Sequence, residues 1–375
     1  MKIGIDARYA FRPQRRGIGE YVANLLTQLA LIKRTHEYHL YIDRRSEPAA
    51  IQLPSDRFHI HMVDADNPLF FEQLALPKAA ARDGVDILHF TANYGANVSP
   101  CPTVYTIHDL IEFQRRDVGT WTIDWKHYLG RNIRRLTLGY QARTAAQIIT
   151  PSESSKQDIT RILRVASERI IVIPHGAPDI SPSTDCVDLR NKIRARGYNV
   201  PEKYILTFGA LDPRKNTQLT ITAFNQIHAE YPDAQLWVIG IEDVDHYRQH
   251  EKPWIHMRGY VPRADAEDLL RGAVALVYSS RFEGFGLPLL EAMAAGTPLI
   301  ASSAASIPEV VGDAGILFPP TDTAALADAM RSLLLEPRRR ARLRQKGLQR
   351  IGAFSWHEVA KRHLAVYESK RGKER

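Results

Sequence analysis

Short apolar runs recur along this chain, separated by stretches whose apolar residues fall at helical spacing. Lys2 to Ile5, Tyr38 to Ile42, Phe58 to Val63, Asp86 to Phe90, Thr103 to Ile107, Gln147 to Thr150 and Ile171 to Gly176 read as strands. Between the first two, Ile18, Val22, Leu25, Leu26 and Leu29 mark one face of an amphipathic helix, and a second helix is predicted near Phe70 to Arg82. A second series follows: Lys203 to Phe208, Gln235 to Ile239, Trp254 to Met257, Val274 to Tyr278, Leu299-Ile300 and Ala314 to Phe318. Strands that alternate with helices and are apolar throughout predict an α/β fold with doubly wound parallel sheets. Ala177 to Asp188, polar and broken by Pro178 and Pro182, reads as the linker between the two series. The expected domains are therefore residues 1–180 and 181–355, followed by a final helix from Trp356.

Composition narrows the class without choosing a function. The 375 residues are enough for two cores, and 44% hydrophobic with 25% charged residues is ordinary for a globular chain. Cys101 and Cys186 fall in different predicted domains, which excludes a disulfide framework and fits a cytoplasmic setting. The opening Met-Lys-Ile-Gly-Ile-Asp reads as a core strand rather than a signal peptide, and no apolar run reaches the roughly 18 residues of a membrane span. A net charge of +8 asks for an anionic partner: nucleotide phosphate, anionic lipid or nucleic acid. No nucleic-acid-binding module accompanies the basic residues, so nucleic acid is not expected.

The chemistry concentrates in Ser280 to Gly296. An apolar strand leads into Glu283-Gly284-Phe285-Gly286-Leu287. Pro288 then suits a first helical turn, and the helix formers to Ala295 are stopped by Gly296 and Pro298. A glycine loop at a helix N-terminus is an anion site. Two carboxylates, Glu283 and Glu291, are out of place for a bare phosphate. They suit a ligand that joins a phosphate to hydroxyl-rich sugar and ribose.

Glu283 and Glu291 with the intervening Gly-Phe-Gly-Leu-Pro resemble the E-x7-E signature of the retaining glycosyltransferases of the glycogen-synthase-like family 4 group, which have the GT-B fold. That fold is two Rossmann-like doubly wound domains facing across a cleft, with the C-terminal helix (here 356–375) packed back on the N-terminal, acceptor-side domain. The resemblance implies that Glu291 bonds the nucleotide ribose, that Glu283 contacts the transferred sugar, and that Gly284, Phe285, Gly286 and Leu287 hold sugar hydroxyls and phosphate. Pro213-Arg214-Lys215-Asn216 resembles the family's cationic pair for the leaving diphosphate, although Ala210 stands where many members carry a further arginine. Two cations expected at a helix start suit that role electrostatically. Gly17 resembles the family's Gly-Gly loop, here Arg16-Gly17, and His108, directly after a strand, resembles the histidine that touches the donor sugar. Tyr260 and Val261 correspond to the turn that meets the base. Pro151-Ser152-Glu153-Ser154-Ser155 also resembles a family segment and reads on its own as a helix N-cap.

The resemblance implies transfer of a hexosyl group from a nucleotide diphosphate sugar, with Glu283, His108, Arg214 and Lys215 as catalytic residues. The acceptor hydroxyl attacks on the face that the nucleotide leaves, and the two domains close over the donor. No ligand cluster for a divalent ion stands out, and the family does without one, so neither metal nor cofactor is expected. The subgroup flavour is that of bacterial mannosyl- and rhamnosyltransferases. It favours GDP-mannose over a UDP-sugar, and a lipid-linked saccharide acceptor at the inner membrane face in O-antigen or polysaccharide synthesis. The stretch from Thr120 to Arg143, with Trp121, Trp125 and several arginines, reads equally as a membrane-surface helix and as one whose Ile133, Leu136 and Leu138 face the core. Arg338 to Lys346 reads as a solvated basic face, and the tail from Lys370 as disordered. A sugar-nucleotide epimerase of the same shape and a non-catalytic sugar-nucleotide binder are the rival readings.

Overall fold

Seven parallel strands make the first sheet: β1 (Lys2–Asp6), β2 (Glu37–Ile42), β3 (Phe58–Met62), β4 (Ile87–Phe90), β5 (Thr103–Thr106), β6 (Gln147–Thr150) and β7 (Ile170–Val172), in the order β3-β2-β1-β4-β5-β6-β7. The computed structural model describes every residue except 16, 33–34, 55, 66, 115–124, 184–185, 242 and 371–375, and the side chains of 125–133, 186–187 and 246 are also outside the description. Parallel neighbours cannot be joined by tight turns, so crossover helices cover both faces and the strands are apolar on both sides. Ile3 and Ile5 pack with Leu25, Leu26 and Leu29 of the Gly17–Leu31 helix, while Tyr41, Leu88 and Phe90 pack with Leu138 and Leu163 on the other face. Each such side chain, fully buried, stabilises by about 1.5–3 kcal/mol.

The second sheet has six parallel strands: β8 (Lys203–Phe208), β9 (Ala234–Ile239), β10 (Ile255–Met257), β11 (Ala275–Tyr278), β12 (Leu299–Ser302) and β13 (Gly315–Phe318), in the order β10-β9-β8-β11-β12-β13. Successive residues of β8 serve opposite layers: Leu206 joins Trp237, Leu276 and Leu290, and Ile205 joins Val238, Val277 and Phe224. One compact unit takes Met1–Phe113, Ile123–Gly176 and Ser355–Arg375, and the other takes Ala177–Phe354. No helix among the described residues is long and apolar enough to cross a membrane.

Several elements differ from the sequence reading for local reasons. Asn67 caps a helical turn at Pro68–Phe70, its side chain accepting from the Leu69 and Phe70 amides, and a π-helical turn over Phe71–Ala75 interrupts the run before the helix resumes at Leu76–Asp83. The linker is shorter than its composition implied, because a helix already starts at Cys186 and runs to Ala195. Ser152, by contrast, caps the Glu153–Leu163 helix as the sequence reading expects, its hydroxyl accepting from the Ser155 amide at 3.1 Å. In the basic Pro337–Arg350 helix the guanidinium groups are not simply solvated. Arg340 bonds the Leu333 carbonyl at 2.6 Å and Arg344 the Ser183 carbonyl at 3.1 Å, so both fasten neighbouring carbonyls. Of the aromatic stretch read as membrane-facing or core-facing, 115–124 lie outside the described residues. The helix itself is Trp125–Thr144, with Leu138 buried and Leu136 exposed. The tail from residue 371 also lies outside the described residues.

The Trp356–Lys370 helix is held to the first sheet by neutral histidines. His363 donates from Nδ1 to the Val359 carbonyl at 2.8 Å, a tautomer assigned from the bonding pattern, which leaves Nε2 to accept from the Tyr21 hydroxyl at 2.8 Å. Thr106 joins Tyr21 at 2.9 Å to His89 at 2.8 Å, and His89 Nδ1 meets the Tyr367 hydroxyl at 2.8 Å. Burial lowers the pKa of His363 and of the neighbouring His108 to about 4, and holds His89 and His175 well below the usual range. A histidine whose folded pKa is depressed binds its proton more readily in the unfolded chain. Its contribution to stability is therefore full above about pH 6.5 and is lost as the pH falls toward the folded value. Each such histidine removes up to about 1.4 kcal/mol per pH unit in that window. The melting temperature is expected to drop between about pH 7 and pH 5, before carboxylates titrate, and His363→Gln should flatten that slope. Identical melting at both pH values would contradict this account.

Candidate active site

In a doubly wound sheet the loops at the carboxyl ends diverge where the strand order reverses, and ligands bind in that crevice. In the second unit the reversal lies between β8 and β11, which pair in parallel from Ile205↔Ala275 to Thr207↔Val277. The loop after β8 carries Arg214 and Lys215, and the loop after β11 carries Glu283. The structure brings these three together. Lys215 Nζ lies 2.7 Å from Glu283 Oε1 and Arg214 Nη1 lies 3.3 Å from Oε2, with Glu283 only 8% exposed. Burial pushes the Glu283 carboxyl up, but the charges of Lys215 and Arg214 outweigh it and hold the pKa below the usual value. The buried Tyr278 beneath the site has its hydroxyl pushed well up, by burial first and then by the Glu283 charge, and Lys215 Nζ stands 5.4 Å over its ring. The result is a fixed carboxylate whose two cations can also serve an anion.

Arg214 and Lys215 do not sit on a helix N-terminus, as the sequence reading had placed them. They form a 3₁₀ turn, Pro213–Lys215, and Asn216 at φ 56° separates it from the Thr217–Ile227 helix. Asp212 makes the turn: its carboxylate accepts from the Arg214 amide at 2.9 Å and from Arg214 Nε at 3.1 Å. Asn216 donates to the Ser279 and Pro320 carbonyls at 3.2 and 2.8 Å, and the Ser279 hydroxyl reaches the Lys215 carbonyl at 3.0 Å. The Arg281 amide donates to the Arg214 carbonyl at 2.7 Å, which ties the two loops directly.

The glycine loop is equally held. Gly286, at φ 104°, is the N-cap of the Leu287–Ala295 helix, a backbone conformation that L side chains rarely adopt. The buried Ser306 hydroxyl donates toward the Glu283 and Phe285 carbonyls, at 2.9 and 3.1 Å, fixing the loop from Glu283 through Gly284 to Phe285. Leu287 and Glu291 follow on the helix, Glu291 half-buried one turn in. Tyr260 is 69% exposed after β10, and Val261 packs on the core beside it. Sequence reasoning missed the positioning residues Asn216, Ser279 and Ser306. Ser279 had a local signal, a polar residue directly after a strand, whereas Asn216 and Ser306 reach the site from loop positions that local pattern does not mark.

The first unit has its own reversal, between β1 and β4, and a cavity of about 340 Å³ opens there. Arg8, Tyr9 and Arg12 line it from the loop after β1, Asn93 and Tyr94 from the loop after β4, and Glu72 and Gln73 from the π-helical turn. Arg8, 2% exposed, bonds Asp6 through Nε and Nη2 at 2.9 and 2.8 Å and meets Glu72 at 2.8 Å, and it lies 4.0 Å from the Phe71 ring centre. Burial opposes its charge, but Asp6 and Glu72 outweigh that and raise its pKa, whereas burial raises that of Glu72 against the pull of Arg8. The other guanidinium groups of the cavity are matched as well: Arg12 and Arg45 by Asp43, Arg134 by Glu112. Four arginines facing Asp6, Glu72, Asp43 and Glu112 leave no excess charge. The paired side chains at its wall offer donors and acceptors that can meet neutral hydroxyls.

His108 lies at the carboxyl end of β5 in this unit. It donates from Nε2 to the Thr91 carbonyl at 2.9 Å, its amide reaches Asn93 Oδ1 at 2.7 Å, and Tyr21 meets it edge-on at 5.0 Å. Gly17 begins its helix with nothing within 4 Å of a Cβ built on it. At Gly19 such a Cβ would lie 2.7 Å from the Tyr9 carbonyl, so Gly19 is required by packing, whereas a side chain at Gly17 would meet open space among the described residues.

Residues 15–179 match the model described as Glycosyltransferase Family 4, and 190–350 the one described as Glycosyl transferases group 1. O-antigen chain mannosyltransferase B of Escherichia coli is 27% identical over 379 residues, covering 94% of this chain and 96% of the relative. Sucrose-phosphate synthase of Thermosynechococcus elongatus superposes with a TM-score of 0.76 at 20% identity, over 98% of both chains. Anabaena Alr3699/HepE, solved with UDP-glucose, superposes with a TM-score of 0.73 at 17% identity, over 98% of this chain and 100% of the other. With two Rossmann-like units and both family models matched in order, the chain belongs to the group 1 glycosyltransferases of family 4.

Proposed function

We propose that this glycosyltransferase moves a mannosyl group from GDP-mannose to a lipid-linked saccharide in cell-surface polysaccharide synthesis, with the anomeric configuration retained and without a metal ion. The observation that carries the proposal is the buried Glu283 carboxylate held between Arg214 and Lys215 at the β8/β11 reversal. A donor diphosphate takes Glu283's place as partner of the two cations, and the carboxylate turns to the hydroxyls of the sugar. Glu291 accepts from the ribose, while the amides from Gly284 to Leu287 hold sugar and phosphate. As the glycosidic C–O bond to phosphate breaks, Arg214 and Lys215 stabilise the charge that develops on the leaving diphosphate. The acceptor oxygen bonds the anomeric carbon on the same face, and its proton passes to the departing phosphate oxygen. His108 and Gly17 act on the sugar, and Tyr260 and Val261 on the base.

The acceptor belongs in the cavity lined by Arg8, Glu72 and Tyr94, whose balanced charges and aromatic rim suit a neutral saccharide. Mannose as the transferred sugar is supported by the O-antigen mannosyltransferase that aligns over nearly the whole chain. A UDP-sugar is the second reading, favoured by the UDP-glucose bound to the structural neighbour from Anabaena. The charge of +8 supports docking of the acceptor at an anionic inner membrane face.

A thermal-shift series with GDP, UDP, ADP and their sugar conjugates tests the donor. GDP and GDP-mannose are expected to stabilise, by about 2.7 kcal/mol at one hundred times Kd, and Glu291→Ala to abolish the shift. A response to UDP alone would move the donor to the second reading, and no response to any nucleotide would sink the proposal. Arg214→Ala and Lys215→Ala should each lower kcat by about 10²–10³-fold, the scale for removing one group that stabilises developing charge. Glu72→Gln and Tyr94→Ala should raise the acceptor KM about tenfold while leaving the nucleotide shift intact, which separates the acceptor pocket from the donor site.

A further inference from the structure

The sequence reading set metal ions aside, but the first sheet assembles a ligand group from two strands and a helix end. His39 on β2 and His61 on β3 project from the same face of adjacent parallel strands, since His39 pairs with His59 and Tyr41 with His61. Asp83 ends the Leu76–Asp83 helix that crosses back to the amino end of β4. One nitrogen of each histidine and one Asp83 oxygen lie within 4.8 Å of one another, although 22 residues separate the histidines and another 22 lead to the aspartate.

The geometry points to a divalent transition-metal site at this sheet edge, of the zinc class, with His39, His61 and Asp83 as its protein ligands. His39 Nδ1 and His61 Nε2 stand 3.0 Å apart, close to the roughly 3.3 Å that separates two nitrogens bound tetrahedrally to one zinc at 2.0–2.1 Å. Two neutral imidazoles facing at that distance share a single proton in their hydrogen bond; a metal ion takes its place, and that proton moves by way of solvent to the other nitrogen of the ring that gave it up, so both imidazoles stay neutral. Asp83 Oδ2 lies 3.4 Å from His61 Nδ1, and the His61 ring, 22% exposed at the rim, can turn either nitrogen to the ion. The other ring nitrogen of His39, buried and without a hydrogen bond among the described residues, lies 3.9 Å from Glu37 Oε2. Metal binding through Nδ1 would put a proton on that nitrogen beside a carboxylate, the outer-shell arrangement that orients ligating histidines.

The surroundings hold the third ligand in place. The Tyr41 hydroxyl donates to Asp83 Oδ2 at 3.1 Å, Arg82 Nε to Oδ1 at 2.9 Å, and Lys2 Nζ to the Asp83 carbonyl at 3.3 Å. Lys2 and Arg82 oppose a cation, Glu37 and Asp83 favour one, and His59 packs 5.2 Å from the His39 ring. Three protein ligands at a half-open rim leave a fourth position to water. An ion there ties edge strand β3 to β2 and to the helix end, which is a structural role independent of glycosyl transfer.

The test is metal retention by the full chain. Protein incubated with one equivalent of Zn²⁺ and passed through a desalting column is expected to keep one ion per chain, to melt at a higher temperature, and to show the visible bands of tetrahedral Co²⁺ when cobalt replaces zinc. His61→Ala should lose all three signals. Asp83→Asn, which preserves size and the contact with Tyr41, should weaken retention at least tenfold even if the alanine variant folds poorly. His36→Ala, outside the cluster, should change none of them. Retention of zinc by neither protein, or equal retention by wild type and His61→Ala, would overturn the assignment.

Discussion

The second unit is organised around one costly object, a carboxylate buried between two cations. Removing Glu283 from water is unfavourable unless its charge is met on the spot, and a buried ion pair broken on one side costs about 3–5 kcal/mol. Everything nearby serves that balance. Asp212 bends the turn so that Arg214 and Lys215 arrive together, Asn216 and Ser279 hold the turn against the end of β11, and Ser306 fixes the carbonyls on either side of the glycine loop. The same constraint makes the site useful. Cations already positioned and partly desolvated need no reorganisation when a phosphate arrives.

Each unit puts its chemistry where its sheet reverses direction, but the two crevices are built differently. Between β8 and β11 the charges are few, buried and linked to a glycine loop. Between β1 and β4 four arginines are matched by carboxylates around a cavity with tyrosines on its wall. The first arrangement suits an anion attached to a sugar and the second suits hydroxyls. The π-helical turn matters here, because the widened turn places Glu72 and Gln73 on the cavity wall.

The first unit also encloses His89, His108, His175 and His363, kept neutral by burial rather than by ion pairing. The Tyr21 hydroxyl bridges β5 and the C-terminal helix through Thr106 and His363, so that helix is fastened by polar contacts as well as by Trp356, Val359 and Leu364. Those contacts depend on single, unprotonated tautomers, which couples the packing of the chain end to pH.

Much of the fold was legible in the sequence, since continuous apolar runs alternating with helical periods leave few alternatives to parallel sheets. The strand, glycine loop and helix around Glu283 were legible for the same local reason: Gly286, Pro288 and Gly296 are residues whose backbone preferences announce a turn, a first helical turn and a stop. What depends on distant parts of the chain was not. The pairing of Glu283 with Lys215 spans 68 residues, the clasp of Tyr21 on His363 spans 342, and the approach of His39 and His61 follows from strand register. Local propensity acts over a few residues, so the sequence by itself determined the elements and the loop that carries the carboxylates. Burial, charge pairing and the lowered histidine pKa values arise only when the sheets bring remote side chains into one low-dielectric space, and those the tertiary structure alone decided.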